Sequence, residues 1–297
     1  MKTRLITSTL LAIVFALGLA ASCAAQVSEA ARKIAEDYKD AVVTVQLVIE
    51  MNMSYSGKSD KEERKVSAPG TIIDPSGLLV ASLSEIDPTK MYSEFMSDGS
   101  DDTQISADVI DVKYKMGDGT EIPADVVLRD RDLDLAFLRP KKAPEAPMKF
   151  VDLAQGVAPQ PADEVVILSR LGQVASRSLA VRVERVQAIV TKPRTFYVVD
   201  GDRLGCPVFA LDGKPVGTLV VRMAKSGGGG GQFSPREDLL VTALPCSTVL
   251  KAAQQAKDAP PEKPAVSEPK KPEAKPDTKP AAKPATKPAT KPTPKAK

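Results

Sequence analysis

Short apolar runs separated by turn residues fill the sequence between residues 41 and 244. The apolar runs on either side of residues 74–77 and of residues 211–215 are typical of hairpins, because each intervening segment combines Gly, Pro and Asp. Val181 and Val183 alternate with Arg182 and Glu184, which is the pattern of a half-buried strand. The runs expected as strands are 41–49, 71–73, 78–81, 122–128, 135–138, 165–168, 179–190, 208–210, 216–221 and 239–244.

Helical spacing of apolar residues is found only at the two ends of this region. It runs from Val27 to Tyr38, and residues 247–256 are expected to form a closing helix with Ser247 as its N-cap. Many short strands with helices only at the ends predict an all-β protein, and about 230 residues suit two packed barrels. We expect the domain to span 26–256, with barrels at about 38–143 and 148–256.

The segments between the predicted strands include a connector, a glycine run and two acidic stretches. The Pro-rich segment 140–147 is the natural connector between the two barrels, and the glycine run 227–231 is expected to be a hairpin loop. The acidic stretches 98–102 and 130–134 each contain a pattern of carboxylates that could bind a cation. Both lack the full set of calcium ligands, so solvated loop acids are the better interpretation. No metal site and no cofactor are expected.

Both ends of the chain differ from the middle. Residues 1–25 resemble an export signal, with Lys2 and Arg4 before a short apolar stretch. Cys23 lies in a lipobox-like context, so lipid attachment there and ordinary cleavage near Ala25 both stay open. The sequence therefore predicts a periplasmic or secreted protein.

The tail, residues 257–297, has a Lys every four residues from 271 to 295, nearly always followed by Pro. Such a segment cannot bury apolar surface and is expected to be disordered and extended. It could be a solvated spacer, or it could contact an anionic cell-envelope surface or partner. No aromatic residues are interleaved with the lysines, so specific nucleic-acid recognition is not expected.

The amino-acid composition excludes several common catalytic sites. There is no histidine among the 297 residues, which excludes a Ser-His-Asp triad, a Cys-His pair and an HExxH zinc site. The three cysteines form no CxxC motif. In an exported protein Cys206 and Cys246 could form a disulfide, and buried free thiols are the alternative.

Five segments, in this order, resemble the trypsin-like serine proteases of the HtrA type. Together they cover roughly residues 41–256, although the Lys-Pro tail stands where those proteases carry a PDZ domain. The segments are GTIIDPSGLLVASLSEID (70–87), PADVVLRDRDLDLAFLRP (123–140), ADEVVILSRLGQ (162–173), DRLGCPVFALDGKPVGTLV (202–220) and LLVTALPCSTVLKAA (239–253). The resemblance implies two six-stranded antiparallel β-barrels with the active site in the cleft between them.

The same resemblance implies that the catalytic positions are altered. Ser84 stands at the position of the general-base histidine and Leu204 at that of the nucleophilic serine, and only Asp134 matches the third member of the triad. A hydroxyl does not accept a proton at neutral pH, and a leucine side chain has no nucleophilic atom.

The loop expected to form the oxyanion hole is altered as well. Asp202 and Cys206 replace glycines of the family pattern around Arg203, Leu204 and Gly205. A carboxylate next to the hole disfavours the developing negative charge, and side chains restrict the backbone that aims the amides.

These observations predict an exported pseudoprotease that binds a peptide or protein, since groove contacts and backbone pairing do not need a triad. Two alternatives stay open: a serine endopeptidase that uses Ser82, Ser84 or Ser169 as an unconventional nucleophile, and a passive envelope spacer. The ligand and the oligomeric state are not specified by the sequence.

Overall fold

The computed structural model describes residues 25–55, 58–87, 103–223 and 239–261. The expectations for the export signal with Cys23, the acidic stretch 98–102, the glycine run 227–231 and the tail beyond residue 261 lie outside the described residues. Within those ranges, none of the helices is long and apolar enough to cross a membrane.

The first half of the chain forms a closed antiparallel barrel of six strands in the order β1-β2-β3-β6-β5-β4. A helix over residues 25–38 (α1) precedes it, and the short helix α2 (Leu83–Ile86) follows β3. The strands are β1 (Val42–Tyr55), β2 (Lys58–Ile72), β3 (Leu79–Ser82), β4 (Thr103–Lys115), β5 (Glu121–Asp130) and β6 (Leu135–Pro140).

Alternation along β1 fills the interior of this barrel. Val43, Val45, Leu47 and Ile49 are buried in one cluster, because successive side chains of a strand point to opposite faces. Val42, on the other face, belongs to a second cluster that lies between the two halves of the molecule.

The second half forms a sheet of seven strands in the order β8-β7-β11-β12-β13-β10-β9. A closing helix, α3 (Cys246–Asp258), follows its last strand. The strands are β7 (Glu164–Arg170), β8 (Leu179–Arg185), β9 (Ala188–Val190), β10 (Phe196–Val198), β11 (Pro207–Ala210), β12 (Pro215–Met223) and β13 (Leu239–Pro245).

The two outer strands of this sheet, β8 and β9, are halves of one bent strand. Only Val186 and Gln187 separate them; Val186 N–H donates to Asp163 O at 2.9 Å, and Gln187 N–H donates to Val198 O at 2.9 Å. The chain thus passes from the β7 edge to the β10 edge at a corner of the kind that closes orthogonal sheets. Counted as one strand, β8 and β9 give a six-stranded barrel with the same strand order as the first.

The expected all-β fold of two packed six-stranded barrels with short terminal helices is therefore confirmed. Several boundaries differ from the sequence-based expectation. Strands β4 and β10 lie outside all of the runs expected as strands. The closing helix begins at Cys246 with Pro245 at the N-cap position and no side-chain cap, so the prediction of Ser247 as N-cap is wrong.

One hydrophobic cluster joins the two barrels. It contains Val80 and Phe137 from the first barrel and Val166, Phe209 and Leu244 from the second, all with no exposed surface. Both terminal helices and the segment that leads into β7 also contribute to this cluster, through Ala31, Ile34, Val151, Leu153 and Val249.

Candidate functional site

Asp134 lies in the turn between β5 and β6, where the barrels meet, and its carboxyl group accepts four hydrogen bonds. Oδ2 accepts from Ser82 Oγ at 2.7 Å and from the Val221 amide at 3.0 Å. Oδ1 accepts from both the amide and the hydroxyl of Ser84, each at 2.7 Å. The carboxyl group therefore ties β3 and α2 of the first barrel to β12 of the second.

Burial is the dominant influence on this carboxyl group, since only 7% of Asp134 is exposed. Burial raises the pKa of Asp134 above its ordinary value, although the hydrogen bonds from Ser82, Val221 and Ser84 oppose this rise. Asp134 also has a backbone φ of 59°, which Asp and Asn adopt more readily than most other residues.

Ser84 lies beside Asp134, as the resemblance implies, but Leu204 is not part of this hydrogen-bonded group. The Leu204 side chain is buried, with 9% of its surface exposed. Its amide lies 3.5 Å from Glu85 Oε1, at the outer limit of a hydrogen bond. The structure thus brings two of the three triad positions together through a serine hydroxyl instead of an imidazole.

Glu85 was not identified from the sequence. Burial raises its pKa and the nearby charges of Asp134 and Asp202 raise it further, while the Leu204 amide and Arg203 lower it. Its carboxyl group approaches an amide of the loop that the resemblance assigns to an oxyanion hole. Its position beside Ser84 is the only signal in the sequence, and nothing local shows that residue 85 meets residue 204.

The backbone groups of Gly205, the next residue in this loop, also form hydrogen bonds within the protein. Gly205 N–H donates to Leu219 O at 2.7 Å, and Gly205 O accepts from the Thr71 hydroxyl at 2.9 Å. The backbone φ of Gly205 is +79°, and an added Cβ would lie 2.8 Å from Pro69 O. The loop is packed against the first barrel, with its polar backbone groups directed into the protein.

Asp202 and Arg203, the two residues before Leu204 in the loop, have different surroundings. Asp202 is mostly exposed and forms an ion pair with Arg182 at 2.9 Å. The Nε atom of Arg203 is buried and has no hydrogen-bond acceptor among the described residues. Asp202 therefore points outwards, while Arg203 directs its charge towards the protein.

The serines that were considered as unconventional nucleophiles are poorly placed. Ser82 has no exposed surface and Ser169, on β7, is 4% exposed. Ser82 and Ser84 both donate to Asp134. Within the described ranges, no lysine forms a hydrogen bond or ion pair with Ser82, Ser84 or Asp134.

Cys206 and Cys246 are buried free thiols, so the disulfide considered for this pair is not formed. The physical reason is their placement: Cys206 belongs to the interior cluster of the second barrel, whereas Cys246 belongs to the cluster between the barrels. Burial raises the pKa of both thiols, that of Cys246 to about 12.

The acidic stretch 130–134 has structural roles within its turn. Asp130 Oδ1 accepts the amides of Asp132 and Leu133 at 3.0 and 2.9 Å, and Asp132 forms an ion pair with Arg194. In the part of the chain that the structure describes, no group of three or more His, Cys, Asp or Glu side chains could hold a metal ion.

Comparisons with known proteins find similarity in structure alone. No protein-family model matches the sequence, and no curated protein matches it. Among solved structures, the apo form of the MamO protease domain from Magnetospirillum magneticum is similar, with 16% sequence identity and a TM-score of 0.45. The match covers 73% of this chain and 97% of that chain.

Proposed function

We propose that this protein is an exported, catalytically inactive homologue of the HtrA-type trypsin-like serine proteases and acts as a peptide- or protein-binding module. The two-barrel fold and the five sequence segments support the relationship. The altered positions at residues 84, 202, 204 and 206 support the loss of catalysis.

The state of Asp134 is the observation that carries the proposal. In a triad, the carboxylate orients an imidazole that takes a proton from the nucleophile. Here both oxygens accept hydrogen bonds from Ser82, Ser84 and Val221, and the chain contains no histidine. The remaining protease-like parts can position a ligand but provide no activated nucleophile.

Labelling with a fluorophosphonate serine probe tests the loss of catalysis. We expect no adduct on the natural protein in mass spectrometry. A specific stoichiometric adduct on Ser82, Ser84 or Ser169 would instead identify the protein as an active serine hydrolase.

A rebuilt site is the matched positive control. Ser84→His places an imidazole beside the Asp134 carboxyl group, Leu204→Ser supplies the hydroxyl, and Glu85→Gln removes the negative charge from the Leu204 amide. We expect this triple variant to gain slow labelling, which Asp134→Asn then lowers, because the imidazole loses the group that orients it.

The tail is a separate part of the proposal, and its lysines support contact with an anionic surface. We expect a protein of residues 26–297 to sediment with phosphatidylglycerol vesicles at low salt and to be released as salt screens the charges. A protein of residues 26–261 serves as the control. Equal sedimentation of the two proteins would assign membrane contact to the barrels.

A further inference from the structure

A small cavity lies between the barrels, beside the loop that contains Arg203. Its volume is about 120 Å³, well below the roughly 300–1,000 Å³ of pockets for drug-sized ligands. Strands β1 and β2 form one wall, and the end of β7 with the following turn forms the other. The polar and charged residues that line it include Thr44, Ser67, Arg170, Arg177 and Arg203.

The three arginines give this cavity a strong positive charge. None of the residues that line it is acidic. Arg170 is a fixed charge, because its Nε donates to Val42 O at 2.8 Å and its Nη2 to Lys39 O at 2.5 Å. Backbone carbonyls hold this guanidinium in place, and the Asp40 carboxylate, which does not line the cavity, interacts with its charge.

The other two guanidinium groups retain unused donors. Arg203 Nε is buried without a hydrogen-bond acceptor among the described residues. The carboxyl group of Glu85 interacts with the charge of Arg203 but accepts its hydrogen bond from the Leu204 amide. Arg177 forms no ion pair or side-chain hydrogen bond with any residue that the structure describes. Both guanidinium groups line the cavity and can therefore interact with an anion that enters it.

We propose that this cavity binds a single small oxyanion, of the size of a phosphate or carboxylate group, through Arg177 and Arg203. Guanidinium groups match the oxygens of both anions with paired, charge-assisted hydrogen bonds. The hydroxyls of Thr44 and Ser67 supply further donors, and Arg170 adds its charge. The oxyanion is either a free ion or the end group of a larger ligand, such as the C-terminal carboxylate of a peptide. The inference is independent of whether the triad positions are inactive.

Calorimetric titration of the full chain with inorganic phosphate tests this site, with acetate as the carboxylate probe and sodium chloride added to keep ionic strength constant. We expect saturable 1:1 binding of at least one probe. Arg177→Gln and Arg203→Gln should each weaken it by about tenfold or more, because each removes charge-assisted hydrogen bonds. The control Arg131→Gln removes an equal charge from an exposed position outside the cavity and should leave the affinity within about twofold.

The outcomes separate the sources of the anion. Saturation by phosphate alone assigns a phosphate site. If acetate saturates the site, two peptides that differ only in a free or an amidated C-terminus are compared next, and only the peptide with the free C-terminal carboxylate should bind. The proposal is overturned if neither probe saturates, or if Arg131→Gln weakens binding as much as Arg203→Gln does.

A second measurement covers the case in which the cavity variants do not fold. On addition of phosphate or acetate to the natural protein, the amide resonances of Thr44 and Gly172, on opposite walls of the cavity, should shift with one common saturation curve. Shifts confined to residues outside the cavity would overturn the proposal.

Discussion

At the scale of single residues, the buried carboxyl group of Asp134 has a structural role in the contact between the two barrels. Its partners come from both barrels, and its two oxygens are each used twice. Removal of one acceptor oxygen leaves buried donors unsatisfied, and this costs more than the net value of an ordinary hydrogen bond. The residue therefore stabilises the contact between the barrels.

Asp134→Asn tests that role. The amide nitrogen of Asn must face donors that now bind a carboxyl oxygen, so we expect a loss of about 1–3 kcal/mol in the free energy of unfolding. Asn tolerates the left-handed backbone at this position, so strain does not contribute. Urea denaturation measures the effect. Asp130→Asn is the matched control, because only Oδ1 of Asp130 accepts the two turn amides; equal losses would contradict the assignment.

Glu85 gives a prediction about pH. The folded protein holds the Glu85 proton more tightly than the unfolded chain does, since its pKa is raised. Its favourable contribution is complete below the ordinary glutamate pKa and is lost as the pH rises through the raised value. Glu85→Gln cannot lose a proton, so its stability relative to the natural protein should increase with pH.

Thermal melting at about pH 3.5 and about pH 7.5, on either side of the ordinary glutamate pKa of roughly 4.3, measures this change. We expect the melting temperature of Glu85→Gln, relative to that of the natural protein, to be higher at about pH 7.5 than at about pH 3.5. The difference should be about 2–4 °C for each kcal/mol of relative stability. The exposed control Glu145→Gln should show no such trend. If Glu85→Gln instead loses stability relative to the natural protein as the pH rises, the Glu85 carboxylate stabilises the fold and its pKa is lowered, contrary to this prediction.

The pairing of Ser84 with Asp134 could be predicted because each lies in a segment that resembles a family motif. The contact between Glu85 and Leu204 could not, since it joins residues 119 positions apart in sequence and depends on the barrels being docked. The same holds for the sulfurs of Cys206 and Cys246: sequence reveals two cysteines in an exported chain but not that they lie in different clusters.

At the scale of elements, the loop before β11 is shaped by Gly205. An added Cβ would lie 2.8 Å from Pro69 O and 2.9 Å from the Ser82 nitrogen, both backbone atoms. Since backbone cannot move away as a side-chain end can, the loop must shift. The close approach of this loop to β2 and β3 therefore requires glycine.

Gly205→Ala should lower the free energy of unfolding by more than the roughly 1–2 kcal/mol of left-handed strain alone. Gly119→Ala separates the two causes, because Gly119 also has a positive φ, 91°, but an added Cβ there meets nothing within 4 Å. We expect only the strain cost at Gly119 in chemical denaturation. Equal losses for the two variants would show that the contact with β2 and β3 is unimportant.

Strand prediction succeeded where apolar runs are flanked by turn residues and failed where the signal is short or polar. Strand β10 has only three residues, Phe196–Val198. The outer part of β2 is rich in charged residues, as its sequence KSDKEERK shows, and strands that face water on both sides lack the period-two pattern. The sequence predicts one strand over residues 179–190. The bend at Val186 and Gln187 divides this run into β8 and β9, and no glycine or proline within the run indicates the bend.

At the scale of the whole molecule, each terminal helix makes at least one contact with the barrel that is remote from it along the chain. Tyr38 of α1 precedes the first barrel but stacks on Phe209 of the second, with ring centroids 4.5 Å apart. At the other end, Arg139 of β6 donates to Lys257 O at 2.9 Å and Ala259 O at 3.0 Å, around the end of α3. With the shared cluster between the barrels, these contacts join the two halves into one folding unit.

This arrangement predicts a single cooperative unfolding transition, with equal calorimetric and van't Hoff enthalpies. Phe209→Ala should cost about 3–5 kcal/mol, and hydrogen exchange should accelerate in β6 of the first barrel as well as in β12 of the second, because Phe209 lies in the cluster that both share. Val112→Ala is the control, because Val112 lies in the interior of the first barrel. If the barrels unfold together, this variant should accelerate hydrogen exchange in β6 and in β12 by the same factor. Two separate transitions, or faster exchange confined to the second barrel in Phe209→Ala, would show that each barrel folds by itself and that the contact at Asp134 opens without global unfolding.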